Sequence, residues 1–369
     1  MLTIHKNYII SKINEKTMYL VSTIIPFYNG EKHLNEVIET LKKQTIGFEN
    51  IEIILVNDCS DDNSVDVAKN LESKYDNCYF YDLSLQYSEK SGYPGRPRNL
   101  GLKHVHTDYV IFLDIDDYYV NNAFEILYNT IKRTKSDFVL ANHHINTDNG
   151  VIKNHLCSKE SSDEIILKPT ATQTKFDKVT TGCFIASWGK IFDYNFITDN
   201  NLIFFEDGPT EDGDFYFQAL AVCEKMCILP NTYIYMYNEY GDSTIHNSTE
   251  KLFLSFFNGL KRINNFLIKN IDLNHEVFIS DYFSSLLLIF VTLNVDKKRK
   301  IEFLEMLYEF EQTTDEINIK TPEVKFLNNL ILKRKFRLAL ITASMYDKFY
   351  NNLFIKKMYR KYMNMKRLE

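Results

Sequence analysis

Apolar runs alternate with helical patterns through the first third of the chain. Four runs are short, continuous and rich in β-branched or aromatic residues, which is typical of strands buried on both faces of a sheet. They lie at 19–25, stopping at Pro26, and at 51–56, 79–83 and 109–113. Helical spacing of apolar residues separates them, at 33–43, at 64–74 and from about Arg98 onward. This alternation predicts βαβ units and a parallel sheet.

The pattern changes twice further along the chain. Residues 150–181 are polar and irregular, which predicts an excursion from the sheet, and a tyrosine-rich strand is predicted at 233–237. Beyond residue 250 helices are predicted at 252–267, 275–293, 300–310 and 325–350. We therefore expect an N-terminal extension at 1–18, a sheet-based domain at 19–249 and an all-helical C-terminal region at 250–369.

Composition and charge narrow the class of protein. With 369 residues and 45% hydrophobic content, the chain is long enough for two domains with real cores. Its six cysteines form no CxxC pair, which favours reduced thiols in a cytoplasmic protein, and neither a signal peptide nor a membrane span is predicted. Residues 333–369 hold eleven Lys/Arg and two acids, a charge of +9, which leaves −15 elsewhere because the net charge is −6. An acidic body argues against a nucleic-acid partner.

Three carboxylates follow the strand predicted at 109–113. Asp114, Asp116 and Asp117 would lie at the carboxyl edge of a parallel sheet, where open α/β sheets bind ligands. Residues two apart in extended backbone face the same way, so Asp114 and Asp116 can point at one cation. Oxygen ligands suit Mg²⁺ or Mn²⁺ better than zinc. An isolated motif of this kind is more often a solvated acidic turn, and the neighbouring motifs favour the binding site.

Two of those motifs follow the first and second strands. After the first strand, Phe27 can stack on a nucleobase and Asn29 can bond a ribose or base edge, although an ordinary strand-to-helix turn is the alternative. After the second strand, Asp58 can accept a hydrogen bond from a base or ribose. Residues 60–62 are natural helix caps, so Asp58 is the candidate for ligand binding there.

Two further motifs are predicted at helix starts. The glycine-containing segment 92–101 carries Arg96 and Arg98, which can form bidentate bonds to a pyrophosphate near a helix N-terminus; an exposed basic loop is the alternative. In the acidic segment 206–214, Asp212 can take a proton from an attacking hydroxyl as a general base, although an acid at a helix start is more often a cap.

Taken in chain order, five segments resemble inverting glycosyltransferases of family 2 with the GT-A fold. They are IPFYN at 25–29, VNDCSDDN at 56–63, GRPRNLGL at 95–102, FLDIDD at 112–117 and TEDGDF at 210–215. The third and fourth are especially similar to bacterial enzymes that glycosylate wall teichoic acid and related surface polymers. The resemblance implies an α/β fold, a Rossmann-like and mostly parallel sheet flanked by helices, followed here by the helical region.

The resemblance also implies roles for the matched residues. Phe27 and Asp58 would lie by the uracil of a UDP-sugar, and Asp212 would be the catalytic base. Asp116 would bind Mn²⁺ or Mg²⁺, and Asp114, near the ribose or diphosphate, is a second candidate ligand. The other implied donor-binding residues are Pro26, Tyr28, Asn29, Arg96, Arg98, Asn99, Ile115 and Glu211. His246 and Lys190 are candidates to assist the diphosphate, and His246 is also a candidate metal ligand.

The implied activity is a metal-dependent, inverting transfer of a sugar, preferably N-acetylglucosamine, from a UDP-sugar to a hydroxyl of a teichoic acid or related polymer. A capsule or exopolysaccharide transferase acting on a lipid-linked intermediate is one alternative. A non-catalytic module that binds nucleotide-sugars is another. The QxxRW motif of processive synthases is absent from the sequence, which favours addition of single sugars.

The Lys/Arg-rich segment 333–369, the basic tail, predicts that the helical region contacts a membrane surface. Cations at 333–337 and 356–361 are interleaved with apolar residues, a pattern typical of segments that lie in an anionic membrane interface. Packing on the acidic body, homo-oligomerisation and binding of an anionic acceptor are the alternatives. We expect a cytoplasmic enzyme with peripheral contact at the inner face of the plasma membrane.

Overall fold

The computed structural model describes residues 19–147, 150–154, 163–167, 186–206, 208–238, 250–269, 275–314, 317–319 and 321–351. Ten strands within these ranges form one sheet. They are β1 Val21–Phe27, β2 Ile51–Asn57, β3 Cys78–Asp82, β4 Tyr109–Phe112, β5 Tyr118–Tyr119, β6 Phe138–Thr147, β7 Gly150–Asn154, β8 Ile165–Leu167, β9 Lys190–Asp193 and β10 Met226–Asn238. The extension predicted at 1–18 lies outside the described residues.

Helices cover the sheet and build the C-terminal region. In the sheet-based part they are α1 Leu34–Leu41, α2 Ser64–Lys74, α3 Gly95–Leu102, α4 Ala123–Thr134, α5 Tyr194–Asp199 and α6 Glu211–Val222. After residue 249 they are α7 Glu250–Lys269, α8 His275–Thr292, α9 Lys297–Gln312, α10 Pro322–Leu332 and α11 Phe336–Asn351. No helix in the described part of the chain is both long and apolar enough to cross a membrane.

The sheet is mixed, with the order β3-β2-β1-β4-β9-β6-β10-β5. Strands β1 to β4 are parallel to one another, as the alternating pattern predicts. The short strand β9 then runs antiparallel to β4 and β6, while β6 and β10 are parallel. Strands β6 and β9 were not predicted, because β6 becomes polar in its second half and β9 spans only four residues.

Three predicted boundaries need correction. Pro26 does not stop β1 but lies inside it, opposite Val56 and beyond the last β1–β4 pair at Ile24, where a missing N–H costs no bond to β4. Helix α3 begins at Gly95, three residues earlier than expected. The helix predicted at 325–350 is two helices, because the chain turns between them with Arg334 at a left-handed φ of 51°.

One apolar core joins the sheet to the helical region. On one face of the sheet, Phe112 packs edge-on against Phe204 and Phe215, and the same buried cluster continues through Phe253 of α7 and Phe283 of α8. A second cluster on the other face is covered by α1, α2 and α4. The boundary predicted at 249/250 stays a prediction, since the apolar core continues across it. Apolar packing on both faces of the sheet therefore supports the carboxyl ends of β1, β2 and β4.

Candidate active site

A fully buried arginine gathers three carboxyl groups at the carboxyl edge of the sheet. Arg98, with 0% side-chain exposure, lies 2.7 Å from Asp114 Oδ1 through Nη2 and 2.7 Å from Asp212 Oδ1 through Nη1. Glu211 Oε1 is 3.5 Å from Nη1. Burial opposes the charge on the guanidinium, but Asp212, Asp114 and Glu211 together raise the pKa of Arg98 above its usual value. The arginine therefore stays cationic and holds the end of β4 against the start of α6.

Helix α3 reaches this position through two neighbours of Arg98. A Cβ on Gly95 would clash with the carbonyl oxygen of Phe205, so only glycine allows α3 to begin so close to that backbone. The Asn99 amide donates to Phe204 O at 2.7 Å and to Glu206 Oε1 at 2.9 Å, and its oxygen accepts from Phe204 N–H. Asn99, a predicted donor-binding residue, thus ties α3 to the segment that leads into α6.

The acids around Arg98 differ in burial and protonation. Burial, reinforced by Asp212, raises the pKa of Glu211 to about 8, so Glu211 keeps its proton at neutral pH. Burial, reinforced by Asp114, likewise raises the pKa of Asp117 to about 8, where it accepts bonds from the Tyr235 hydroxyl and the Asn238 N–H. Asp212 is 24% exposed and sits directly on Arg98. Of the three acids in the first turn of α6, Glu211, Asp212 and Asp214, Asp212 is the most exposed and therefore the one open to a substrate.

Asp116 and Asp114 are the carboxylates that face outward. Asp116 is exposed, and its carboxylate makes no hydrogen bond or ion pair within the described ranges. Asp114 is 28% exposed and uses only Oδ1 for Arg98. Among the residues described, no group of three or more His, Cys, Asp or Glu side chains has the arrangement of a metal site. Two carboxylates that still have oxygens to offer fit Mg²⁺ or Mn²⁺, which are usually held by one or two carboxylates together with substrate phosphates and water.

Asp58, at the end of β2, is enclosed by a loop that follows β3. Its Oδ2 accepts from the N–H of Ser91 at 2.9 Å and from the hydroxyl at 2.6 Å, and its Oδ1 accepts from Arg96 at 2.8 Å. The Arg96 guanidinium also lies over the Tyr87 ring, 4.1 Å from its centroid. Asp58 and Arg96, predicted to bind the donor, therefore bind each other. The role of Ser91 was missed, because a lone serine in a polar loop carries no recognisable pattern.

The remaining predicted residues differ in their surroundings. The Phe27 ring is only 3% exposed and stacks on Phe80 in the core, so its base-stacking role stays a prediction. Asn29 has a φ of 52° and exchanges hydrogen bonds with Asp61. Tyr28 lies under Lys90, whose Nζ is 3.8 Å from the ring centroid.

Three further predicted residues are placed as follows. A Cβ on Gly30 would lie 2.7 Å from Ile115 Cδ1, so the loops that carry these two residues pack directly on each other. Lys190 is buried, donates to the carbonyl of Ala186 at 2.5 Å and lies over the Tyr216 ring. His246 lies outside the described residues.

Comparison with known proteins agrees with the motifs. Residues 22–194 match the family model for glycosyl transferase family 2. The chain is 41% identical over 127 residues to the minor teichoic acid biosynthesis protein GgaB of Bacillus subtilis, covering 34% of this chain and 13% of that protein. It is 27% identical over 222 residues to the poly(ribitol-phosphate) beta-N-acetylglucosaminyltransferase TarS of Staphylococcus aureus, covering 59% of this chain and 35% of that protein. The chain thus spans well under half the length of these relatives.

A solved structure shows the same fold over most of the chain. The crystal structure of S. aureus TarS 1–349 in complex with UDP-GlcNAc superposes with a TM-score of 0.69 and 20% identity, covering 89% of this chain and 91% of that one. At 20% identity the structural similarity shows the fold alone. It confirms the predicted GT-A architecture with a helical C-terminal region. The segment 22–194, a little under half of the chain, is therefore similar in sequence to glycosyl transferase family 2.

Proposed function

We propose that this protein is an inverting glycosyltransferase that moves a sugar from a UDP-sugar to a hydroxyl of a cell-wall teichoic acid or related surface polymer. The observation that carries the proposal is the convergence of Asp114 and Asp212 on the buried Arg98 at the carboxyl edge of the sheet. N-acetylglucosamine is the preferred sugar, because a relative named for N-acetylglucosaminyl transfer to poly(ribitol-phosphate) matches over 59% of the chain. The acceptor class rests on the names of that relative and of GgaB.

In the proposed mechanism, Asp212 accepts the proton of the acceptor hydroxyl as the hydroxyl oxygen attacks the anomeric carbon. The new carbon–oxygen bond forms as the bond to the diphosphate breaks, and UDP departs from the opposite face. Arg98 holds Asp212 in place through an ion pair of 2.7 Å. A general base positioned in this way contributes about 10²–10⁴-fold to the rate.

The proposal includes a divalent cation on the outward acids. Asp116, with Asp114 as the second ligand, would hold Mg²⁺ or Mn²⁺, which neutralises charge on the diphosphate when bound. On the nucleotide side, Asp58 would accept the uracil N–H. Because both of its oxygens are bonded to Ser91 and Arg96, donor binding would exchange one of these contacts.

The direct test is nucleotide release from a panel of UDP-sugars with Mn²⁺ and a poly(ribitol-phosphate) or poly(glycerol-phosphate) acceptor. Release of UDP together with labelled polymer supports the proposal. Release only with a lipid-linked sugar acceptor would favour a capsule or exopolysaccharide transferase. Donor binding without release under any condition would favour a non-catalytic binding module.

The proposal also places the enzyme in the cytoplasm, at the inner face of an anionic membrane, and the outer face of α11 supports this. Leu338, Ile341 and Met345 are 45%, 58% and 66% exposed and follow helical spacing along one side of α11. Residues 333–337 and Lys348, at the two ends of this face, supply five cations to one acid in the segment 333–351. An apolar strip flanked by cations suits an anionic bilayer better than a polymer acceptor, which would need only the charges. The second basic cluster, at 356–361, lies outside the described residues.

Substitution of Ile341 by aspartate tests this contact on the full-length protein. We expect the wild type to sediment with phosphatidylglycerol vesicles at low salt. Ile341→Asp should bind about 10- to 100-fold more weakly, since it removes a side chain worth about 1.5–3 kcal/mol on burial. Ile268→Asp, at a comparably exposed isoleucine of α7, is the matched control and should bind like the wild type. A wild type that ignores the vesicles disproves the contact. A change in oligomeric mass with Ile341→Asp would assign the face to self-association.

A further inference from the structure

A second buried ion pair binds the start of α6 to the helical region. Asp214, with 0% exposure, accepts a hydrogen bond from Arg262 of α7 at 2.7 Å and from the Tyr282 hydroxyl of α8 at 2.9 Å. Thr210, the residue just before α6, donates to the same carboxylate at 3.3 Å. One side chain of α6 therefore contacts two helices of the region after residue 249.

Two glycines bring α7 against this cluster. A Cβ on Gly259 of α7 would lie 2.7 Å from Asp214 Oδ1 and would clash with the Tyr282 hydroxyl. A Cβ on Gly208, in the turn before α6, would clash with Ser255 of α7. Because neither position has room for any side chain, α7 packs directly on the turn that leads into α6. The Arg262 guanidinium also covers the Phe205 ring at 4.1 Å, in the segment fixed by Asn99.

The first turn of α6 is thus held from two sides. Asp212 faces Arg98, and Asp214, two residues later, faces Arg262 and Tyr282. We propose that Arg262 and Tyr282, acting through Asp214, are positioning residues that fix the orientation of the base-bearing turn. The helical region is then part of the machinery for transfer. This inference rests on the proposed function, in which Asp212 is the base.

The physical reason is that an uncompensated carboxylate cannot stay buried at this position. Burial raises the pKa of Asp214, and Arg262 and Tyr282 oppose that rise. Without Arg262, Asp214 would take up a proton or turn toward water, and either change would weaken the contacts that fix the first turn of α6. Small displacements of a reacting group reduce rates strongly, on the order of 10²-fold for 1 Å.

The experiment compares Arg262→Met, Arg262→Lys and Tyr282→Phe in the full-length protein. We expect Arg262→Met to lower kcat on the order of 10- to 100-fold with little change in the KM for the UDP-sugar. Arg262→Lys should recover a large part of kcat, and Tyr282→Phe should lose less than Arg262→Met. Arg299→Met is the matched control, because Arg299 of α9 pairs with Glu250 and Glu302 away from α6.

Two further readouts separate the possible results. Circular dichroism at the assay temperature confirms that each variant is folded, and hydrogen exchange of residues 208–222 should rise in Arg262→Met and not in Arg299→Met. A folded Arg262→Met that keeps wild-type kcat, or unchanged exchange at 208–222, overturns the inference. If the wild type itself transfers no sugar, the proposed function fails, and the exchange measurement still decides whether Arg262 positions the turn.

Discussion

The two sides of the α6 N-terminus use the same chemistry for different purposes. On the cleft side, Arg98 pairs with Asp212 and Asp114, which remain 24% and 28% exposed. On the helical side, Arg262 pairs with Asp214, which is 0% exposed. Both pairs have a nitrogen–oxygen distance of 2.7 Å. The difference lies in which partner is buried: the cleft side buries the arginine and presents the acids, whereas the helical side buries the acid.

That difference shows how the first turn of one helix can both present an acid to a substrate and anchor the helix to its neighbours. A carboxylate that keeps part of its surface open can exchange protons with a substrate. A carboxylate that is wholly enclosed can act only through its partners. Two aspartates that are two residues apart can therefore be assigned different roles without any difference in residue type.

The largest effect is expected for Asp212→Asn. Transfer should fall on the order of 10²-fold or more, because the base is lost, while binding of the UDP-sugar stays nearly intact. Single-turnover transfer and calorimetric titration with the donor measure the two quantities separately. Asp66→Asn, at an exposed aspartate of α2, is the control.

The same exchange at Asp214 sharpens the contrast. Asp214→Asn should lower the free energy of unfolding by about 3–5 kcal/mol, since it leaves Arg262 without its anionic partner. Urea denaturation followed by circular dichroism checks this.

If Asp212→Asn also weakens donor binding strongly, Asp212 is a donor-site residue and the division of roles between the two aspartates is wrong.

Asp116→Ala tests the cation on the cleft side. The variant should lose the stimulation of turnover by Mn²⁺, because Asp116 is the exposed carboxylate proposed as the main ligand. Initial rates over a Mn²⁺ series, with and without prior chelation, give the measurement. Retention of activity and of Mn²⁺ dependence within about twofold would show that the cation is held elsewhere or is not required.

The smallest effect concerns Glu311 of α9, which is bonded to Asn328 of α10. Burial raises its pKa to about 7, although Asn328 donates to it. The folded state therefore binds a proton that the unfolded state releases near 4.5, so stability is greatest at low pH and falls as pH rises from about 4.5 to about 7. Glu311→Gln should flatten the fall in this window and leave transfer unchanged.

Thermal unfolding at a series of pH values measures the effect of Glu311→Gln. Glu211 has a raised pKa as well, but it lies beside Asp212, so Glu211→Gln should change the pH dependence of transfer too. If Glu311→Gln changed the pH dependence of transfer as much as Glu211→Gln, Glu311 would affect catalysis as well as stability.

The sequence by itself determined the strand exits and hence where the chemistry lies. Continuous apolar runs specify buried strands, and a parallel pair places its carboxyl ends at one edge, so the positions of Asp58 and Asp114 at that edge follow from the sequence pattern alone. The helices after residue 250 were also recognisable, because their apolar spacing repeats over many residues. The break near Arg334 was not, since no glycine or proline marks it.

Only the tertiary structure decided which charges meet. Arg98 is 16 residues from Asp114 and 114 from Asp212, and Asp214 is 48 residues from Arg262. Periodicity shows which face of an element is buried, but not which other element covers it, and these pairs form where α3, α6 and α7 pack together. Packing also encloses Phe27, in the cluster covered by α1, α2 and α4, and Lys190, over the Tyr216 ring of α6; local pattern alone could not distinguish either from a cleft residue. The physical reason is that burial and pairing of a charge depend on neighbours distant in sequence, whereas strand and helix formation depends largely on neighbours close by.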